Sequence, residues 1–132
     1  MSVALFPEYS ADELGRGMRE FRARSDADVF VAERENGSLA GYVEVGSRSY
    51  ADGCDTSPVG YVEAWYIDPD VRRGGYGRAL LEAAEDWARG QGFTEIGSDA
   101  LLDNEISHAA HRKAGYTEVD RVLQFRKTIE SR

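Results

Sequence analysis

The stretch from Val59 to Gly90 admits few folds. Val59-Gly60-Tyr61-Val62-Glu63-Ala64-Trp65-Tyr66-Ile67 is β-branched and aromatic, as a central strand is, and it stops at Asp68-Pro69, where proline removes a ladder donor. Arg72-Arg73-Gly74-Gly75-Tyr76-Gly77-Arg78 follows. From Gly77 to Gly90 the residues Leu80, Leu81, Ala84, Trp87 and Ala88 then recur at helical spacing, with Gly90 and Gly92 bracketing the stop. A strand, a glycine-rich turn and an apolar-faced helix leave several backbone amides unpaired at the positive end of the helix. Glycines let a pyrophosphate approach those donors and the flanking arginines add full charge, which makes the turn a candidate anion site. The plain alternative is a βα turn with solvated arginines. No Gly-Lys-Ser/Thr follows, so the turn is not a P-loop, and Gly75-Tyr76-Gly77 lacks the third spaced glycine of a dinucleotide fingerprint.

The rest of the chain supplies further elements for one domain spanning 1–132, without repeat, linker or low-complexity tract. Ser10 and Glu13 have capping-box spacing, and Leu14, Met18 and Phe21 share a helical face, which predicts a first helix ending near Arg24. Two strand-like runs flank Asn36-Gly37 and predict a hairpin. Residues 46–58 are small, polar and rich in turn formers, a surface loop. Residues 93–98 read as a strand. Asp103 or Asn104 would cap a helix carrying Ile106, Ala109, Ala110 and Ala114, and residues 116–127 alternate as a closing strand. The predicted order is α-β-β-β-α-β-α-β, a mixed α/β class.

Composition narrows the function. The 132 residues carry a net charge of −8 with 42% hydrophobic residues, a globular balance that disfavours nucleic acid and anionic membranes as partners, since both need clustered Lys and Arg. No run approaches the ~20 apolar residues of a membrane span. The lone Cys54 can form neither an internal disulfide nor a thiolate metal site, which points to a reduced, cytoplasmic setting.

Arg72, Gly75 and Gly77 match the Arg/Gln-x-x-Gly-x-Gly/Ala pyrophosphate loop of the GNAT N-acetyltransferase superfamily, and Asp68-Pro69, Asn104 and Gly115-Tyr116 fall in that superfamily's order and spacing. A narrower resemblance runs from Tyr50 to Lys127: residues 50–59, Val62-Glu63, Ser98-Asp99, Asp103-Asn104 through Ile106-Ser107, and His111-x-x-x-Gly115-Tyr116 are similar to the bacterial aminoglycoside 6′-N-acetyltransferases. The resemblance implies a mixed, mostly antiparallel central sheet flanked by helices. It also implies a leading strand that this sequence lacks, a loss that would expose a sheet edge or be made good by a partner chain in a homodimer.

Further roles follow from the resemblance. Trp65, Tyr66 and Ile67 would offer backbone groups to the pantetheine arm of acetyl-CoA, with their side chains packed as core. Arg72, Arg73, Gly74, Gly75, Tyr76, Gly77 and Arg78 would hold its pyrophosphate, and Asn104 would contact the same cofactor or simply cap a helix. Asp99, Tyr50 and Asp120 would contact the substrate, and Phe6 would pack on an aminosugar. Glu63 stands out independently: a carboxylate within an apolar strand is costly unless it faces water or a cation. It would bind substrate amines and help remove a proton from the 6′-ammonium; the alternative is a structural salt bridge. His111 stands where the superfamily commonly has a tyrosine that protonates the departing thiolate, and histidine can do this chemistry or be an exposed helix residue. His108 lies one turn earlier, but with no third ligand in view a metal is discounted. Cys54 lies in an acidic loop that raises a thiol pKa, which favours direct transfer over an acetyl-cysteine. Asp52, Asp55, Asp99, Asp103, Glu105 and Asp120 would attract a polycationic substrate.

The expected activity is acetyl-CoA-dependent acetylation of the 6′-amino group of aminoglycoside antibiotics, conferring resistance. Acetylation of another amine, such as a polyamine or a protein N-terminus, and a degenerate acyl-CoA-binding module are the alternatives.

Overall fold

A computed structural model describes residues 26–72 and 74–131 in full, together with the backbone of Pro7–Glu8 and Met18–Arg24. Strands β1 (Pro7–Glu8), β2 (Met18–Arg24), β3 (Ala27–Glu33), β4 (Leu39–Arg48), β5 (Val59–Ile67) and β6 (Ile96–Ser98) form a single sheet in chain order. All neighbours are antiparallel except β5 and β6, which run parallel. Helices α1 (Tyr76–Gly90) and α2 (Glu105–Lys113) flank β6 in sequence, as a parallel crossover requires.

The hairpin at Asn36-Gly37 forms as predicted. Gly37 takes a φ of +88°, and the Asn36 side chain accepts from the amide of Ser38 at 2.9 Å. Helix α1 buries Leu80, Leu81, Ala83, Ala84 and Ala88 against Val43, Val45, Val62 and Ile67 of the sheet. Leu80 and Leu81 are fully buried, each contributing about 2–3 kcal/mol of transfer free energy.

Two segments depart from the sequence reading. Met18–Arg24, expected as the end of a helix, is strand β2, because pairing with Ala27–Ala32 supplies it a full antiparallel ladder that outweighs a helical spacing of three apolar residues. Ser10, Glu13 and Leu14 lie outside the described residues, as does Phe6. Strands β2 and β1 occupy the edge beyond β3, so the position that the resemblance leaves bare is filled from within the chain. The closing strand expected over 116–127 is not formed. Its alternation is real, but a strand exists only through a hydrogen-bonded neighbour, and among the described residues none pairs with it.

The feature that shapes the centre of the molecule is a bulge in β5. Ala64 pairs with Glu44 and Val62 with Val45, so Glu63 has no partner on β4. Before the bulge, Gly60 and Val62 face the helices, and a β-carbon at Gly60 would meet Ala88. Val59 and Tyr61 face the other way, packing with Ala51 and Cys54. After the bulge the helix face resumes at Trp65 and Ile67. Ser98, the last residue of β6, pairs with Val62, just ahead of the bulge. From Glu63 to Ile67 the β6-facing edge of β5 therefore has no strand beside it among the described residues.

Candidate active site

This fork between β5 and β6 brings the two faces of the sheet together. On the helix face, Gly75 caps α1 in a left-handed conformation, φ +83°, which a side chain would strain. Among the described residues no side chain caps the helix start. Trp65 lies against that first turn, its indole N–H donating to the carbonyl of Gly77 at 3.2 Å, and a β-carbon at Gly77 would press on its ring at 3.2 Å. Gly77 is thus a packing requirement as well as part of the loop. Arg72 Nε donates to the carbonyl of Ile67 at 3.2 Å, tying the turn back to the end of β5. Gly74 and Arg78 are exposed, Tyr76 packs against the core, and Arg73 lies outside the described residues. Ile67 is buried while Tyr66 is 44% exposed, its hydroxyl pKa raised chiefly by the nearby Asp68 carboxylate.

The opposite face carries the charged groups. Arg48 holds Glu63 in a two-pronged ion pair, Nε to Oε2 at 2.8 Å and an Nη to Oε1 at 2.6 Å, and its guanidinium lies 3.6 Å from the centroid of the Tyr61 ring. The Tyr61 hydroxyl donates to Asp99 at 2.6 Å. Burial, reinforced by that carboxylate, pushes the hydroxyl well above the ordinary tyrosine range, so Tyr61 stays a donor to Asp99. Glu63 and Asp99 thus belong to one chain of contacts through Arg48 and Tyr61. The salt-bridge alternative for Glu63 is present in the structure; Arg48, which the sequence reading passed over, is its partner. Their positions fifteen residues apart across two strands give no local signal.

Tyr50 and Asp52 meet at the mouth of the neighbouring loop, hydroxyl to carboxylate at 2.8 Å, and this bond with nearby Asp120 raises the tyrosine pKa. Val119 lies directly over Gly53, bringing the C-terminal segment to the loop. Glu95 secures the loop from below, one oxygen accepting from the amides of Asp55 and Thr56 at 2.8 and 2.7 Å and from the Thr56 hydroxyl at 2.5 Å. The Cys54 thiol is pushed up by burial first and by Glu95 and Asp55 second, the direction the acidic loop led one to expect.

On α2, Asn104 is the helix cap, its side chain accepting from the Ser107 amide at 3.1 Å. His108 Nε2 donates to the Leu101 carbonyl at 2.8 Å. No group of three potential metal ligands occurs among the described residues. His111 is half-buried. Its ring stands edge-on between Trp65 and Tyr116, with centroids at 5.0 and 5.6 Å. Its Nδ1 lies 2.8 Å from the Ser107 carbonyl and its Nε2 2.8 Å from Ser98 Oγ. Tyr116 is itself fixed by its hydroxyl bond to Glu85 on α1 at 2.9 Å. Ser98 was quoted in the sequence only as part of a motif; its contact with His111 is a finding of the fold.

A helix start and a strand edge that have, among the described residues, neither a side-chain cap nor a neighbouring strand suit a ligand with an anionic end and an extended amide-bearing arm. Residues 2–116 match the family model described as Acetyltransferase (GNAT) family. The chain is 40% identical over 132 residues to an aminoglycoside N(6')-acetyltransferase type 1 of Klebsiella aerogenes, covering 98% of this chain and 87% of that protein. It superposes on the crystal structure of AAC(6')-Ih from Acinetobacter baumannii with a TM-score of 0.75 and 35% identity, over 82% of this chain and 74% of the other. The structure of AAC(6')-Iy in complex with the bisubstrate analog CoA-S-monomethyl-acetylneamine gives a TM-score of 0.75 and 31% identity, over 80% and 72% of the two chains. The matched span covers the fork, the glycine-rich turn and both helices, and the chain belongs to the GNAT family of acetyltransferases.

Proposed function

We propose that the protein transfers the acetyl group of acetyl-CoA to the 6′-amino group of aminoglycosides, directly within a ternary complex, and so confers resistance. The observation that carries this reading is the fork at Glu63, where a helix start with no side-chain cap among the described residues meets a face carrying the Glu63–Arg48–Tyr61–Asp99 chain of contacts. The relatives above, named for the same reaction, support it.

In this reading the amides of the turn, with Arg72, Arg73 and Arg78, hold the pyrophosphate, and Gly74 and Gly75 let it approach. The backbone of Trp65, Tyr66 and Ile67 pairs with the extended arm as an added strand would and polarises the thioester carbonyl. Asn104 contributes from the start of α2. Glu63 and Asp99 bind the ammonium groups of the acceptor, and Glu63 draws off the first proton of the 6′-ammonium, since only a neutral amine attacks a thioester. The substrate cation competes with Arg48 for that carboxylate. His111 handles the proton that ends on the thiol. The acids Asp52, Asp55, Asp103 and Glu105, all exposed, add to the attraction of a polycation.

The protein acts in the cytoplasm, as a lone unpaired cysteine suits, and as a homodimer that covers the apolar side chains of its C-terminal segment. Phe125 and Ile129 are 89% and 86% exposed. Release of free thiol from acetyl-CoA in the presence of kanamycin or tobramycin tests the reading, with an aminoglycoside bearing a 6′-hydroxyl as the control that should give none. Release only with a different amine would reassign the substrate, and cofactor binding without release would leave a binding module.

A further inference from the structure

Both ring nitrogens of His111 are already engaged. A carbonyl oxygen only accepts, so the 2.8 Å contact with the Ser107 carbonyl puts the proton of the neutral ring on Nδ1. That leaves Nε2 as an acceptor, and Ser98 Oγ, 2.8 Å away, donates to it. Nδ1 also lies 3.3 Å from Ser107 Oγ, which leads back into α2, and with Trp65 and Tyr116 edge-on to the ring Ser98 is, among the described residues, the hydrogen-bond route from the ring towards the fork. Ser98 itself ends β6 opposite Val62, immediately before the bulged Glu63, at the vertex where β5 loses its neighbour. A hydroxyl bonded to a histidine that is oriented by a further acceptor is the arrangement of an activated proton-transfer pair.

We infer that Ser98 is a catalytic residue of this site and that His111 acts through it as a positioning base, the pair carrying one proton from the attacking nitrogen to the departing sulfur. The inference rests on the acetyltransferase reading above. Once the ammonium has lost its first proton, the amine nitrogen forms its bond to the acetyl carbon. Ser98 Oγ accepts the second N–H proton as its own proton passes to His111 Nε2. When the carbon–sulfur bond breaks, the imidazolium returns that proton through Ser98 to the sulfur. The products are the N-acetyl amine and free thiol, and Ser98 and His111 end as they began. His111 therefore serves first as base and then as acid, without touching either reactant.

The test needs one readout without turnover and one with it. In the ligand-free protein, ring ¹⁵N shifts should show His111 protonated on Nδ1 with Nε2 accepting a hydrogen bond, and Ser98→Ala should move the Nε2 signal alone; a proton resident on Nε2 overturns the relay. In single-turnover transfer to kanamycin, Ser98→Ala should slow the chemical step by about 100-fold. Ser98→Thr should restore most of the rate, and both variants should keep the native melting temperature and affinity for CoA. The Ser98→Ala, His111→Ala double variant should be no slower than the slower single one, because the two residues form one path. A Ser98→Ala rate within threefold of native, or losses that multiply in the double variant, would overturn the relay while leaving the acetyltransferase reading intact. A native protein inert towards every aminoglycoside overturns both.

Discussion

Arg48 and Glu63 pose the question of what a carboxylate proposed to bind substrate does while it is paired with a cation of its own chain. The pair is half exposed, so water and salt screen it, and its stabilising value with the Tyr61 ring contact comes to about 1 kcal/mol. In exchange, the carboxylate is held in one geometry and its charge is masked. Arg48→Met should lower the melting temperature by roughly 3–6 °C. It should also lower KM for the aminoglycoside several-fold with kcat within about threefold, because the substrate's ammonium no longer competes with a resident cation. Glu63→Gln keeps the shape and removes the charge; steady-state kinetics should show kcat down by about 10²-fold. Equal loss of activity in both variants would mean that the ion pair, not the carboxylate, is what the site needs.

Among the elements, the loop over residues 49–58 depends on one acid. Thr56 and Asp55 donate to Glu95 and hold its carboxyl below the usual carboxylate range, the Thr56 hydroxyl foremost. A group depressed in the folded state stabilises above its unfolded pKa near 4.5 and loses that contribution as pH falls through the folded value. The amides of Asp55 and Thr56 should thus be well protected from exchange at neutral pH, and their protection relative to the intrinsic rate should fall below about pH 4.5, ahead of global unfolding. Glu95→Gln should give fast exchange at these amides throughout, without the acid step.

The elements also show what pattern alone can carry. The βα unit from Val59 to Gly90, the Asn36-Gly37 hairpin and the Asn104-capped helix are legible because each is set by residues near in sequence: a proline stop, a positive-φ glycine, a side-chain cap. Strand β2 and the unpaired 116–127 segment are not, because both depend on whether a neighbouring strand is present. Within the site, Glu63 was visible as a charge in an apolar run, whereas the bulge that turns it outward is a property of two registers. The contacts of Arg48 with Glu63 and of Ser98 with His111 exist only once strands and helices are assembled.

For the molecule as a whole, the C-terminal segment is the conspicuous surface. Val119, Val122, Leu123, Phe125 and Ile129 are all more than half exposed. Light scattering should give twice the 14.6 kDa chain mass at micromolar concentration, and Phe125→Glu should halve it without lowering the melting temperature of the monomer. A native protein that scatters as a single chain would remove the dimer from the account. The fork has its own consequence at this scale. In the proposed reading the cofactor and the acceptor lie on opposite faces of the sheet, so either molecule would enter or depart while the other stays in place. On that reading sterics would impose no obligatory sequence of arrival, and an inhibitor tethering the two would have to be threaded through the gap at Glu63, with its narrowest atoms there.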